Sequence, residues 1–315
     1  MGFPLRFNMF LWEVSAEFYQ GISPVKSKMK ERETRQMEGT TMIYDTDQRD
    51  KLERITRKWW FFVLFVLIQF VPPYASKGYK FPEEWSDVIM HSLRNAFIYS
   101  HSEIYPIFKI IPIVLIVSII ILRNKVTRLF SIYAAFSYVL FAFGQSIAVT
   151  DKYGVSICTI NVLMFLVVAA FWLWEAFVLQ NDLALTKQPI WRYWVVPLAV
   201  LAFWGPTSRG RPDFNPVYLL TNGAGVAFCM MTPVYVGLLT LYWPRINMAT
   251  LRVTSLVGFI IGLYNMQVNF IISPSTHWWN GVLHIPLLAI SLYGLIISFK
   301  KRTPQTTTNC GCATQ

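Results

Sequence analysis

From Trp59 to Phe299 the chain repeats one pattern: an apolar run, a short polar or charged break, then another apolar run. The runs cover 59–75, 105–122, 129–149, 155–179, 193–206, 217–242, 253–272 and 280–299. A hydrocarbon layer about 30 Å thick takes about 20 helical residues to cross, and inside it every backbone amide must find its partner within the protein. The pattern therefore predicts an all-α protein, a polytopic transmembrane helix bundle of about eight spans. The first and fifth runs are short by this measure. Pro197 interrupts the fifth and Pro206 ends it. A seven-helix alternative without 193–206 would reverse the direction of the last three spans.

Charge distribution supports lipid as the surroundings. Only 14% of the 315 residues are charged and 54% are hydrophobic, whereas a soluble domain carries about a quarter charged residues. The net charge of +11 is not gathered into one patch, which excludes a nucleic-acid partner. It recurs in short clusters at the breaks, RITRK at 54–58, RNKVTR at 123–128 and KKR at 300–302. With both termini cytoplasmic, the inner side holds Arg54, Arg57, Lys58, Arg123, Lys125, Arg128, Lys187, Arg192, Arg245, Arg252, Lys300, Lys301 and Arg302. The outer side holds Lys77, Lys80, Arg94, Lys152, Arg209 and Arg211, with Lys109 at the border. That excess, about two to one, follows the positive-inside tendency. The expected location is the cell (plasma) membrane. Trp59, Trp60, Trp191, Trp194, Tyr242, Trp243, Trp278 and Trp279 fall where interfacial aromatic belts form.

The organisation that follows is a cytoplasmic N-terminal tail over 1–50, a transmembrane domain over 51–302 and a polar cytoplasmic tail over 303–315. MGFPLRFNMFLWEV is too broken by charge to span a bilayer and lacks the cleavage features of a signal peptide. Met37 and Met42 are alternative starts, which would leave residues 1–36 outside the natural protein. Cys158 and Cys229 lie in apolar runs as buried thiols. Cys310 and Cys312 form a C-x-C without the further ligands of a zinc site. Residues 76–104 are too long for a simple turn. Trp85, Val88, Ile89, Leu93, Ala96 and Phe97 recur there at helical spacing, which predicts an amphipathic helix at the outer surface, lying at the interface or capping the bundle.

Polar side chains inside a bilayer need partners, so their depth is informative. In the eight-span arrangement Gln145, Asn161, Asn222, Asn265, Asn269 and His284 all fall in the outer half. Either they hydrogen-bond between helices and specify packing, or they line an outward-facing pocket for a small organic solute or ion. Glu175, near the inner end of the fourth run, is a candidate proton carrier. "THWWNGVLHIPLL" over 276–288 holds His277 and His284, seven residues apart, and 275–280 is read as loop. As metal or haem ligands, these two outer histidines define an alternative redox reading. No phosphate-binding glycine loop, His-Glu-x-x-His or Gly-x-Ser-x-Gly is present, and enzyme function is not favoured. The leading expectation is a permease-like or small-molecule-binding membrane protein that requires no cofactor. The alternatives are a haem- or metal-binding redox protein and a structural subunit of a membrane complex.

Overall fold

The computed structural model describes residues 50–184 and 188–300. The expectations about the N-terminal tail, Met37, Met42, Lys187, Lys301, Arg302, Cys310 and Cys312 lie outside them. The helical unit runs from Ile55. Its helices are α1 (Trp59–Ile68), α2 (Trp85–Arg94), α3 (Tyr105–Leu122), α4 (Thr127–Gly144), α5 (Thr159–Val178), α6 (Val195–Trp204), α7 (Tyr218–Thr221), α8 (Phe228–Tyr242), α9 (Met248–Met266) and α10 (Pro274–Phe299).

Among the described residues, four helical segments are long and apolar enough to cross a membrane: Ser102–Gly144, Thr159–Val178, Met248–Ile272 and Pro274–Phe299. A fifth is added if Tyr218–Val226 and Phe228–Tyr242, bent by 96°, form one broken span. Ser102–Gly144 contains both α3 and α4. Arg123, at φ 54 and ψ −128, ends α3, and a 3-10 turn over Arg123–Val126 leads into α4. The Phe108 and Phe136 rings stack 6.3 Å apart. In a straight helix those 28 residues would separate them by about 42 Å, so α3 and α4 fold back as a hairpin. The weakly expected fifth run is helical: α6 carries Pro197 in its first turn, where no backbone amide is needed, and stops at Gly205 in the left-handed conformation.

The bundle core lies among α4, α5, α8, α9 and α10. Trp172, Tyr138, Tyr235, Phe130, Phe141 and Phe228 are fully buried there, and Phe165 stacks on Phe228 at 4.1 Å. α9 and α10 pack through small residues. A side chain at Gly258 would strike Ser291, and one at Gly294 would strike Ser255 and Val236. Each helix thus accommodates a serine of the other, the close approach that small residues permit where lipid supplies no hydrophobic drive between helices.

The sequence reading missed a sheet. β1 (Tyr74–Ala75), β2 (Ile147–Thr150) and β3 (Gly154–Ile157) pair antiparallel in the order β1-β3-β2. IAVT and GVSI are short and rich in β-branched residues, and the expected third and fourth spans had absorbed them. The turn between them ends at Gly154, whose φ of 66 suits a residue without Cβ. The expected amphipathic helix is α2, and it packs on this sheet. Val88 and Ser92 are buried, and the Ser92 hydroxyl donates to that of Ser156 at 2.8 Å. Sheet and helix together form a cap at one end of the bundle.

At the opposite end, connecting segments are tied by charge. The buried Arg252 guanidinium donates to the Thr56 hydroxyl and the Ser298 carbonyl, both at 2.6 Å. Arg57 donates to the Phe299 carbonyl at 2.8 Å, and Arg245 pairs with Asp182 at 2.7 Å.

Gly258→Val and Gly294→Val should each lower the thermal stability of detergent-purified protein by about 1–3 kcal/mol through overpacking. Gly237→Ala, whose added carbon would sit at an ordinary 3.7 Å from Ala199, should leave the unfolding midpoint near wild type.

Candidate functional site

Two helices lose regular geometry near the cap, and four of the six residues expected to line a pocket lie at those two places. The first is the 96° bend before α8. The opening amides of a helix have no intrahelical acceptor, and Gln145 supplies one: its Oε1 accepts from the Phe228 amide at 2.9 Å. The Gln145 Nε2 donates to the Tyr99 hydroxyl at 3.0 Å. The second is a π-helical turn over Gln267–Ile272, closed by the Ser273 amide donating to the Val268 carbonyl five residues back. Such turns leave carbonyls free of their usual partners and recur at functional sites.

Side-chain amides bond to carbonyls of the helix leading into this turn. Asn269 Nδ2 donates to the Asn265 carbonyl at 2.8 Å, and Asn265 Nδ2 donates to the Ile261 carbonyl at 2.9 Å. Asn265 Nδ2 also approaches the Cys229 sulfur at 3.7 Å. Asn280 Nδ2 donates to Asn269 Oδ1 at 3.0 Å. His284 Nδ1 lies 2.6 Å from the Asn280 carbonyl. A carbonyl only accepts, so Nδ1 carries the proton. A polar path therefore runs from Tyr99 through Gln145, the start of α8, Asn265, Asn269 and Asn280 to His284.

Of the six residues expected to line a pocket, Gln145, Asn265, Asn269 and His284 belong to this path. Asn222 does not: its amide donates to the carbonyls of Trp204 at 2.7 Å and Gly205 at 2.9 Å, and its oxygen accepts from the Ala224 amide. It fastens the end of α6 to the turn before α8. Asn161 is buried in the first turn of α5, apart from the path. Glu175 sits at the other end of the bundle. Its carboxylate accepts from the Asn181 amide and from Asn247 Nδ2, both at 2.7 Å, while Asn247 caps the start of α9. Tyr99 and Asn280 were not singled out in the sequence. Asn280, one helical turn before His284 on the same face, was the legible one.

The stretch 275–280 is helix rather than loop, because Pro274 at the first turn is favoured there and starts α10 early. His277 and His284 are then two turns apart, about 10 Å along the axis, and they do not converge on one ion. Among the described residues no group of three or more His, Cys, Asp or Glu side chains is gathered for a metal. The tryptophan pair has its own role: Trp279 is buried and donates to the Pro206 carbonyl at 2.8 Å, while Trp278 is half exposed.

A polar cleft of about 710 Å³ opens on the cap, lined by His91, Arg94, Tyr99, Thr150, Asp151 and Lys152 among others. Tyr99 is thus shared between the cleft and the polar path. Beside the cleft, Lys152 pairs with Asp87 at 2.5 Å, and Tyr153 also donates to Asp87. The hydrogen bond from Lys152, then that from Tyr153, holds the Asp87 carboxyl below its ordinary range, and Asp87 in turn raises the Lys152 ammonium. A second cavity, about 250 Å³, is an apolar slot between α3, α6 and α8. Neither cavity is lined by Asn265, Asn269 or His284.

One buried charge went unrecognised in the sequence. Lys109 looked like a border residue, yet it is fully buried in the second turn of α3 and donates to the Phe203 carbonyl. Sequence gave its depth; only the fold shows what encloses it. Compared with known proteins, the chain matches no family model, no curated protein and no solved structure.

Gln145→Leu should leave the Phe228 amide without an acceptor, at a cost of about 1–3 kcal/mol, and hydrogen exchange in the first turn of α8 should quicken accordingly. For Asp87, whose folded value is depressed, the stabilising contact is present above the ordinary carboxylate pKa near 3.9 and lost as pH falls through the lower folded value. Carbon-detected NMR titration should place Asp87 below about 3.9 in wild type, and Lys152→Met should return it upward.

Proposed function

We propose that this chain is an eight-pass membrane protein with both termini on the cytoplasmic side, and that it takes a small polar solute from the outer face through the cleft in the cap. The observation that carries the solute reading is the shared Tyr99. Its side chain lines the cleft, and its hydroxyl begins a series of polar contacts that reaches the start of α8, passes by the Cys229 sulfur to Asn265 and ends at His284. Discontinuous helices are a recurrent feature of solute sites within a membrane, and here polar side chains rather than free backbone groups line the break. The cleft, not the ring of amides expected from sequence, is then the outward-facing pocket. The amides and His284 form its inward continuation.

Contacts between connecting segments support the eight passes. Segments 74–75, 96, 148 and 154–157 meet at the cap. Segments 57 and 299, 124 and 182, 182 and 245, and 192 and 243 meet at the other end. An even number of crossings reconciles both sets, and it puts the larger share of Lys and Arg on the second side, which the positive-inside tendency makes cytoplasmic. The apolar side chains left exposed on α3, such as Ile107, Val114 and Ile121, suit contact with lipid.

Two measurements test the reading. Single cysteines placed at Lys77, Asp151 and Asn124 should react with an impermeant maleimide from outside at the first two positions and not at the third; labelling at Asn124 would reverse the orientation. Reconstituted protein should bind or take up at least one member of a panel of small organic acids, amino acids and amines. Asn269→Leu should reduce that binding about tenfold or more, comparable to the loss of one or two hydrogen bonds. If no solute binds, or if folded Asn269→Leu and Tyr99→Phe variants bind as wild type does, the path serves packing and the protein fits a structural subunit.

A further inference from the structure

Lys109 is a fully buried lysine, and among the described residues no carboxylate pairs with it. An ionisable side chain within a membrane helix costs several kcal/mol unless something compensates it. The compensation visible here is small. The ammonium has three donors, of which one reaches the Phe203 carbonyl, and it lies 4.3 Å from the centre of the Phe203 ring.

The surroundings of Lys109 are as informative as its charge. Ile113, Ile116 and Val117 follow it at four, seven and eight residues, hence on the same face of α3. These three residues form one wall of the 250 Å³ apolar slot, with Val200 and Phe203 of α6 and Gly237 of α8 on the others. No polar side chain lines the slot, and Val117 and Val200 remain exposed on the side that faces lipid in the eight-pass arrangement. At about 30 Å³ per water-sized unit, the slot holds roughly eight such units, enough for part of one alkyl chain. The Phe203 ring belongs to both places: it walls the slot and lies against the ammonium.

We propose that the slot binds a single-chain fatty acid, its alkyl chain between α3, α6 and α8 and its carboxylate on Lys109, with the Phe203 ring turning aside to admit the head. Charge complementarity selects an anion, since the ammonium keeps two donors and no acid partner. Burial of the ammonium behind one ring selects a small head, a carboxylate over a bulkier phosphodiester. The site is separate from the cap cleft and does not depend on the solute reading.

The test uses cis-parinarate, a fluorescent fatty acid, on the purified full chain in a non-ionic detergent, with displacement by 12-carbon competitors. Dodecanoate should displace the probe at least about tenfold better than dodecyltrimethylammonium or dodecanol, the difference expected of a charge-assisted contact. Lys109→Met should remove that preference while dodecanol still competes, and Gly237→Leu, which fills the slot, should weaken all three. Equal competition by the anionic and cationic amphiphiles overturns the proposal, as does unchanged parinarate binding in Lys109→Met. A lysophosphatidate that displaces the probe where dodecanoate fails also overturns it, in favour of a phospholipid. Should Lys109→Met not fold, the wild-type head-group series and Gly237→Leu decide the matter.

Discussion

A backbone amide or carbonyl left unpaired in hydrocarbon costs several kcal/mol, so a helix that breaks within a membrane must bring replacement partners with it. This bundle breaks or ends helices at two places near the cap where an asparagine or glutamine supplies the missing group, and two more asparagines lead into a third irregularity, the π turn. Gln145 accepts from the first amide of α8. Asn222 takes the last carbonyls of α6. Asn265 and Asn269 donate to carbonyls around the π turn. The clustering of amides at one depth therefore has a structural origin before it has a functional one. The start of α8 and the helix leading into the π turn are joined by the Asn265 amide, which reaches the Cys229 sulfur at 3.7 Å.

Much of this was legible in the chain itself. Apolar runs of about the thickness of a bilayer located the long helices, and the depth of Gln145, Asn265, Asn269 and His284 brought them to one region. Gly258 and Gly262, four residues apart, lie on the close-packed face of α9, where Gly262 meets Leu288 of α10. What escaped was non-local or hidden by apolarity. The cap strands resemble the ends of spans because a β-branched apolar segment reads alike in either role. Asn222 and Asn161 share the depth of the others but not their partners, and depth was all that spacing could supply. Glu175 was read as a candidate proton carrier, and its partners Asn181 and Asn247 follow in segments whose fold the sequence does not display. The reversal at Arg123 was legible as the RNKVTR break between the runs 105–122 and 129–149, and the Phe108–Phe136 contact shows the two helices folded back there.

The two ends of the bundle solve their polar problems differently. At the cap, neutral amides and a small sheet do most of the work, and the ion pair between Lys152 and Asp87 is exposed and weakly stabilising. At the other end buried or half-buried charges hold the connections: Arg252 between 56 and 298, Arg245 on Asp182, and Glu175 on the loop that starts α9. Removing one member of such a buried set strands the other, which makes that end intolerant of single substitutions.

The order of the cap sheet carries a mechanical consequence. β3 lies in the middle, bonded to β2 on one side and to β1 on the other, so the segment after α1, the end of α4 and the start of α5 are laced to a single strand. Those helices cannot splay at the cap without tearing the lacing. The later helices have no such strap among the described residues: between α6 and α7 the chain forms only the two-residue pairing of Thr207–Ser208 with Arg211–Pro212. The molecule is thereby divided into a fixed frame and a freer half, and the polar path from Gln145 to Asn265 crosses the seam between them.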